Sequence, residues 1–594
     1  MKILRYIPWV AVIVFGLLVP QLLGQNPYYL NLALEAATWA LANLGLTVIL
    51  GYTGQISLGQ AAFFGIGAYA TAIVSLHTHS LWMGLIAGIA LTAIFGLIIG
   101  LSTLKMAGHY LAMVTIGFQV LISLVLNNWI PVTGGPNGIT GIVRPHFFGI
   151  SMLDDKPFLY LVIVILMLVA SGVHVLRRFT WGRALRGIRE NELAARVMGV
   201  NAFLGKAVAF TVGAAIAGLG GGLYASAAMY ISPSTFNFTQ SVTFLAMTVV
   251  GGAGSAAGTI LGTVVLTLLP EFLRFLQNIY LVVYALIVLV VVVLLPGGIW
   301  STVERLWQRI VAPTLPSLKS GSTPRPNLVT AGAPVLTLEG VSKSFGGLKA
   351  VDDMNLTVLG QEAHALVGPN GSGKTTVLNL ISGVYPLSSG TVMLQESRIN
   401  GLPADRITAR GIARTFQNIR LCKEMTALEN VMLGLHRHRR ATFLGNMLGS
   451  PASRREQRDF EIRAMEALNF VGLSELALRP AVSLAHGQQR LVELARALVA
   501  EPTVLLLDEP AAGLNDTETA NLLAVLNRLK SQGTTILLIE HDMALVTKLA
   551  DRLTVLNFGR KIAQGSVEEV LKDPLVLEAF LGQDKEEEHA EAGS

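Results

Sequence analysis

Charge is scarce in this chain. Asp, Glu, Lys and Arg make up 14% of its 594 residues, against about 25% in an average soluble protein. With 52% apolar residues and a mean hydropathy of +0.56, that shortage excludes a purely soluble enzyme. Cysteine is nearly absent as well: Cys422 stands alone, which rules out an intramolecular disulfide and is consistent with a reducing compartment. The charge that exists is unevenly placed. Residues 1–311 carry fifteen basic and seven acidic side chains, whereas 312–594 carry 29 and 31. The first part is thus about 7% charged and the second about 21%, a value typical of soluble domains. The net +6 is a positive membrane part joined to a slightly acidic soluble part, so the basic balance is no sign of nucleic acid.

What is present in the first part is long apolar runs. Those at 7–24, 30–50, 58–76, 81–104, 110–126, 158–176, 203–229 and 280–295 each predict a membrane span. The first has a basic start like a signal peptide, but it is long and no small-residue cleavage site follows, so an uncleaved helix is expected. A further stretch, 236–269, is broken by Gly251-Gly-Ala-Gly-Ser255. Lys2, Arg5, Lys105 and the cluster Arg177, Arg178, Arg183, Arg186, Arg189 and Arg196 fall on one side, which the positive-inside rule makes cytoplasmic. The soluble part follows Arg305 and Arg309 on that same side, so an even count is needed. Reading 236–269 as two short spans predicts ten spans with both ends inside.

Glycines four residues apart (Gly84 and Gly88, Gly96 and Gly100, and Gly213, Ala217, Gly221 and Ala225) predict close helix packing. Glu35, Asn43, Gln55, Gln60, Gln119 and Asn127 lie in or near apolar segments, where an ionisable group faces a cavity or a partner. Glu35 is expected about one turn into its span, so an interfacial place is as reasonable as a pore-lining one.

Residues 312–334 are rich in Pro, Ser, Thr and Gly and read as a linker. Beyond it, the buried strand Ala365-Leu-Val367 precedes Gly368-Pro369-Asn370-Gly371-Ser372-Gly373-Lys374-Thr375-Thr376 and a helix. This G-x-x-x-x-G-K-[ST] pattern lets backbone N–H groups curl round phosphates, brings Lys374 to the β and γ phosphates, and offers the Thr375 hydroxyl to Mg²⁺. A second element, Thr503-Val-Leu-Leu-Leu-Asp508-Glu509-Pro510, is an aliphatic strand ending in two carboxylates. It would deliver Asp508 to the metal and Glu509 to an attacking water.

Residues 335–584 resemble an ATP-binding cassette (ABC) ATPase, an α/β P-loop domain. Gln417 in Arg414-Thr-Phe-Gln matches that family's Q-loop, which also implies a metal contact for Gln417. His541 in Ile539-Glu-His matches its switch histidine, and Phe345 stands where it places an aromatic against adenine. Leu484-Ala485-His486-Gly487-Gln488-Gln-Arg490 occupies the signature position but has Ala485 for a serine and His486 for a glycine. This leaves backbone N–H groups and the helix dipole as contributors. Asn515 replaces the D-loop aspartate. His436 and His438, in Leu435-His-Arg-His-Arg-Arg440, read as a solvated basic loop, since no Cys or carboxylate cluster accompanies them.

The first part resembles permeases of the branched-chain amino-acid importers. The similarity rests on Gly51-Tyr-Thr-Gly-Gln-Ile-Ser-Leu-Gly-Gln60, Thr133-Gly-Gly-Pro-Asn-Gly-Ile139 and Gly251-Gly-Ala-Gly-Ser-Ala-Ala-Gly258. The cassette is similar to the matching ATPase, whose signature carries the same departures and whose C-terminus resembles Asp573-Pro-Leu-Val-Leu-Glu-Ala-Phe-Leu-Gly582. The resemblance implies one chain with a polytopic α-helical permease (1–311, about ten spans), a linker (312–334), an ABC ATPase (335–584) and an acidic tail (585–594). It further implies ATP and Mg²⁺ as cofactors, a second ATPase and a second permease as homodimeric or heteromeric partners, and a separate extracytoplasmic substrate-binding protein. Glu509, His541, Gln417 and Lys374 would act in hydrolysis, and Phe345, 368–376 and Ala485, His486, Gly487 and Gln488 would bind nucleotide. Gly187-Ile-Arg-Glu190-Asn-Glu192-Leu-Ala-Ala-Arg196-Val-Met-Gly199 resembles an importer's coupling helix, with Arg177 and Arg178 better suited to membrane lipid. The implied function is ATP-driven uptake of branched-chain or related small amino acids across the cytoplasmic (inner) membrane. Urea, amides or other amino acids are alternative cargoes. An exporter fits less well, because the membrane part has short loops.

Overall fold

The structure is a computed structural model that describes residues 7–24, 26–102, 109–147, 150–310 and 329–579. Lys2, Arg5, Lys105, most of the expected linker, the end of the 573–582 motif and the acidic tail lie outside the described residues. The chain forms two units, neither continuous in sequence. One contains 1–189, 202–314 and 441–454; the other contains 190–201, 315–440 and 455–594.

The first unit is helical because its apolar runs carry few charges and few prolines to interrupt a helix. Among the described residues, six helices are long and apolar enough to cross a membrane: Pro27–Tyr52, Gln60–Thr78, Leu81–Ser102, Tyr110–Asn128, Asp155–Leu176 and Ala202–Ala228. A pair bent by 44°, Val282–Leu294 with Gly298–Trp307, makes up to seven. The expected ten is therefore too many. Phe238–Gly251 and Ala256–Phe272 have 14 and 17 residues, about 21 and 26 Å of helix, short of a hydrocarbon core of about 30 Å. They are separated where Gly252 takes φ +114°. The first helix, Ile7–Leu22, has 16 residues and contains Pro20.

Ala202–Ala228 is the central packing helix, and its small residues let neighbouring backbones touch. A Cβ on Gly221 would collide with the Phe64 carbonyl, one on Gly67 with Gly218, and one on Gly45 with the Gly213 carbonyl. Gly221→Leu is expected to cost at least about 1–3 kcal/mol, because backbone cannot step aside as a side chain can. A lowered melting midpoint of the full chain in detergent would show it, and an unchanged midpoint would refute this account of the crossing.

The polar residues in these helices are mostly partnered within the unit. Asn43 donates to Thr263 at 2.8 Å, Gln60 to the Ala42 carbonyl at 2.6 Å, and Gln119 to the Phe236 carbonyl at 2.8 Å. Asn26 caps the second helix and Pro27 opens it, so Glu35 lies two turns inside rather than one. The basic cluster is less exposed than positive-inside charge suggests. Arg183 and Arg186 are buried, donating to the Arg178 and Arg177 carbonyls.

The second unit is built on two sheets. Six strands run in the order Ile412–Arg414, Val504–Asp508, Thr535–Ile539, Ala363–Val367, Arg552–Asn557, Arg560–Ser566. All neighbours are parallel except the last pair. The central strands Ala363–Val367, Val504–Asp508 and Thr535–Ile539 are buried at every residue, as strands covered on both faces must be. A four-stranded antiparallel sheet, Leu348–Leu359, Pro334–Phe345, Ser389–Leu394 and Ser397–Arg398, completes the unit.

Candidate functional site: a phosphate loop and a shared carboxylate

The site forms where the parallel strands end, the position at which open α/β sheets bind ligands. After Val367 the chain turns through Gly368, Gly371 and Gly373, with φ of +149°, +77° and +100°. A side chain at 368 would strike the Leu556 carbonyl, and one at 373 the Ala350 carbonyl. Among the described residues other than its chain neighbours, nothing lies within 4 Å of the Cβ position of Gly371. The helix Lys374–Ile381 starts directly afterwards, aiming its unpaired first-turn N–H groups at the loop. Lys374 is buried and its Nζ donates to the Gly368 and Pro369 carbonyls at 2.7 and 2.8 Å. Burial pushes the pKa of this ammonium down, and the nearby charges of Glu509 and Asp508 oppose that.

Asp508 ends the buried strand Val504–Asp508. Its Oδ2 accepts from Arg414 Nη2 at 2.8 Å, while its Oδ1 is buried without a hydrogen-bond partner among the described residues. Arg414 also donates to Asn379 Oδ1 at 2.7 Å and Ser382 Oγ at 2.9 Å. Glu509 follows in the left-handed region, φ +46°, a conformation that costs about 1–3 kcal/mol for a residue with a Cβ. Its N–H is held by the Ile539 carbonyl at 2.9 Å. That turn lets one carboxylate accept two donors, Gln417 Nε2 at 2.8 Å and a 2.8 Å bond with His541 Nε2. Three separate chain segments thus meet at Glu509.

The residues brought together are Lys374, Gln417, Asp508, Glu509 and His541. Phe345 is 43% exposed, edge-on to Tyr385 with ring centroids 5.3 Å apart and under Lys343 Nζ. Ala485, His486, Gly487 and Gln488 open the helix His486–Leu498. Gln488 Oε1 accepts from the Ala485 N–H at 3.1 Å, His486 lies against Gly513, and Gly487 abuts Glu518. No hydrogen bond joins these four to residues 368–376 among the described residues.

Three buried side chains behind the site have contacts that the sequence motifs do not assign. Arg490 donates to the Phe416 and Gln417 carbonyls at 2.6 and 2.7 Å, tying the helix His486–Leu498 to the segment that carries Gln417. Glu493 lies between Arg490 and Arg496. Glu540 accepts from the Ala511 and His541 N–H groups at 2.8 and 3.1 Å, and burial pushes its carboxyl pKa up against those bonds. The only hint in the sequence is an arginine or glutamate directly beside a recognised motif. The histidine loop also differs from expectation. His436 is buried, and Arg437 donates to the Thr408 carbonyl at 2.9 Å and to His438 Nε2 at 3.0 Å, so the loop is packed rather than solvated.

Within the same unit, Asn191 caps the helix Glu192–Val197. Ala194, Val197 and Met198 pack with Ala404 and Phe416, and the Val197 carbonyl accepts from Thr408 Oγ1 at 2.7 Å.

Comparison with known proteins agrees with both halves. The family profile described as "Branched-chain amino acid transport system / permease component" matches residues 28–295. An "ABC transporter" profile matches 351–512, and a "Branched-chain amino acid ATP-binding cassette transporter" profile matches 560–586. The high-affinity branched-chain amino acid transport ATP-binding protein BraF of Pseudomonas aeruginosa is 45% identical over 42% of this chain and 98% of its own. The corresponding LivG of Escherichia coli K12 is 43% identical with the same coverage. The permease LivM of that organism is 34% identical over 45% of this chain and 68% of its own. The chain belongs to the branched-chain amino acid ABC transporter family, with permease and ATPase fused. As a member of that family it is a multi-pass membrane protein with an ATPase domain in the cytoplasm. It binds ATP and couples its hydrolysis to transport.

Proposed function

We propose that this chain imports branched-chain or related small amino acids across the cytoplasmic (inner) membrane, receiving them from a separate extracytoplasmic binding protein and pairing with a second permease and a second ATPase. The observation that carries the reading is the seating of Glu192–Val197, a stretch from the permease part of the sequence, against Phe416, the residue before Gln417. A change at the γ-phosphate sensed by Gln417 thereby reaches a permease segment directly. The named transport roles of the relatives support the substrate class.

Within the site, ATP lies between this phosphate loop and a signature supplied by the second ATPase, which fits the lack of bonding between 485–488 and 368–376. Phe345 offers its exposed ring to adenine. Lys374 offsets the charge that develops on the transferring phosphoryl group, Glu509 orients or deprotonates the attacking water, and His541 contacts the γ-phosphate. Thr375, Gln417 and Asp508 would hold Mg²⁺. The unpartnered, buried Asp508 Oδ1 fits that role, and the ion would neutralise phosphate charge.

In proteoliposomes with the binding protein and partner subunits, ATP should drive inward movement of radiolabelled leucine. Val197→Asp should remove uptake but leave ATP hydrolysis, because it unseats the coupling segment without touching the phosphate loop. ATP-driven efflux, or no ATP-dependent movement of any amino acid, overturns the reading.

A further inference from the structure

The stretch Ala441–Arg454 belongs by sequence to the ATPase part but packs in the membrane unit. Thr442 caps a short helix, Phe443–Met447, by accepting from the Gly445 N–H. Two pairs of residues four apart divide its surface. Phe443 and Met447 face protein: the Phe443 ring lies edge-on to Trp181 at 5.5 Å, and a Cβ at Gly172 would be 3.0 Å from Met447 Cε. Beside them, Asn446 Oδ1 accepts from the Trp181 N–H at 2.9 Å. Leu444 and Leu448 face outward, 64% and 81% exposed.

Depth makes that exposure informative. Gly172 lies about one turn inside the Leu176 end of the spanning helix Asp155–Leu176, so Met447 reaches above the helix end toward the hydrocarbon. The same spanning helix presents Val164 and Leu168 outward, and Leu444 and Leu448 extend that apolar surface at its cytoplasmic end. In sequence the segment is bracketed by the exposed Arg440 on one side and Arg454, Arg455 and Arg458 on the other. Arg454, Arg455 and Arg458 are exposed. An apolar tip between arginines is the composition of an element lying in the headgroup region of an anionic bilayer.

We propose that Thr442–Leu448 is a membrane-interface anchor of the ATPase part, with Leu444 and Leu448 inserted among the acyl chains of the cytoplasmic leaflet and Arg440, Arg454, Arg455 and Arg458 at anionic headgroups. The anchor is separate from the coupling segment 190–201 and would hold the ATPase part at the bilayer throughout the transport cycle.

The single native cysteine is buried, so Leu444→Cys and Leu448→Cys can each be labelled alone with an environment-sensitive fluorophore in the full chain. The labelled protein is placed in vesicles of phosphatidylcholine and phosphatidylglycerol. The expected result is blue-shifted emission, strong quenching by a nitroxide on the lipid acyl chain and little quenching by aqueous iodide. A label at Leu168 gives the lipid reference, and one at Phe558, 86% exposed, gives the aqueous one. Quenching by iodide in preference to the nitroxide overturns the proposal. So does protection from both quenchers, as a covering protein partner would give. If the label at 444 disturbs Phe443 packing and abolishes ATP hydrolysis, the label at 448 decides on the same criteria.

Discussion

Glu509→Gln is expected to lower ATP turnover by a factor of about 10²–10⁴, the range that a positioned general base contributes. ATP should still bind, because Lys374 and the glycine loop are untouched. The amide keeps the size of the carboxylate and can still accept one hydrogen bond, but it cannot take a proton from water or face two N–H donors as Glu509 faces Gln417 and His541. Steady-state hydrolysis and binding of a fluorescent ATP analogue, both on the reconstituted full chain, separate the two steps. Unchanged turnover would remove Glu509 from the chemistry.

Glu493→Ala should strongly destabilise the cassette. Glu493 is fully buried, with Oε2 3.3 Å from Arg490 and Oε1 3.4 Å from Arg496, both also buried. Its Oε1 further accepts from the Arg420 N–H at 3.3 Å. Removing the carboxylate strands two guanidinium charges in the core, a loss of about 3–5 kcal/mol. At about 2–4 °C per kcal/mol for a domain of this size, the melting midpoint should fall on the order of 10 °C. Because Arg490 holds the Gln417 carbonyl, ATP hydrolysis should also weaken below the new midpoint. An unchanged midpoint in a thermal scan would show that the triad is dispensable.

The phosphate loop was legible because its chemistry is local. Gly368, Gly373 and Lys374 answer to one another within six residues, and the strand before and helix after them follow from a run of aliphatics and a helix-forming stretch. Gln417 and His541 were legible only through their order around that loop. The contacts of Arg414, Arg490, Glu493 and Glu540 were not, because a charged residue reads as surface until its partner is known, and their partners include groups 19 to 94 residues distant. The span count failed for a related reason. Hydropathy measures apolar length, and it does not say that Phe238–Gly251 and Ala256–Phe272 stop short of a bilayer's thickness. The helical register of Gly213, Gly221 and their neighbours was correctly read as packing, since small residues four apart leave little else to do.

The seating of Glu192–Val197 also sets an order of events during synthesis. Thr408, which holds the Val197 carbonyl, lies 211 residues further along the chain. At about 5–20 residues per second, that interval lasts roughly 10–40 s. The helices from Ala202–Ala228 onward are made during this wait, before Ala404 and Phe416 exist to pack on Ala194, Val197 and Met198. A chain that stops anywhere between the last membrane helix and residue 408 therefore lacks the Ala441–Arg454 stretch of its membrane unit as well as the cover over this apolar strip, a species open to proteases and to self-association until the ATPase part arrives.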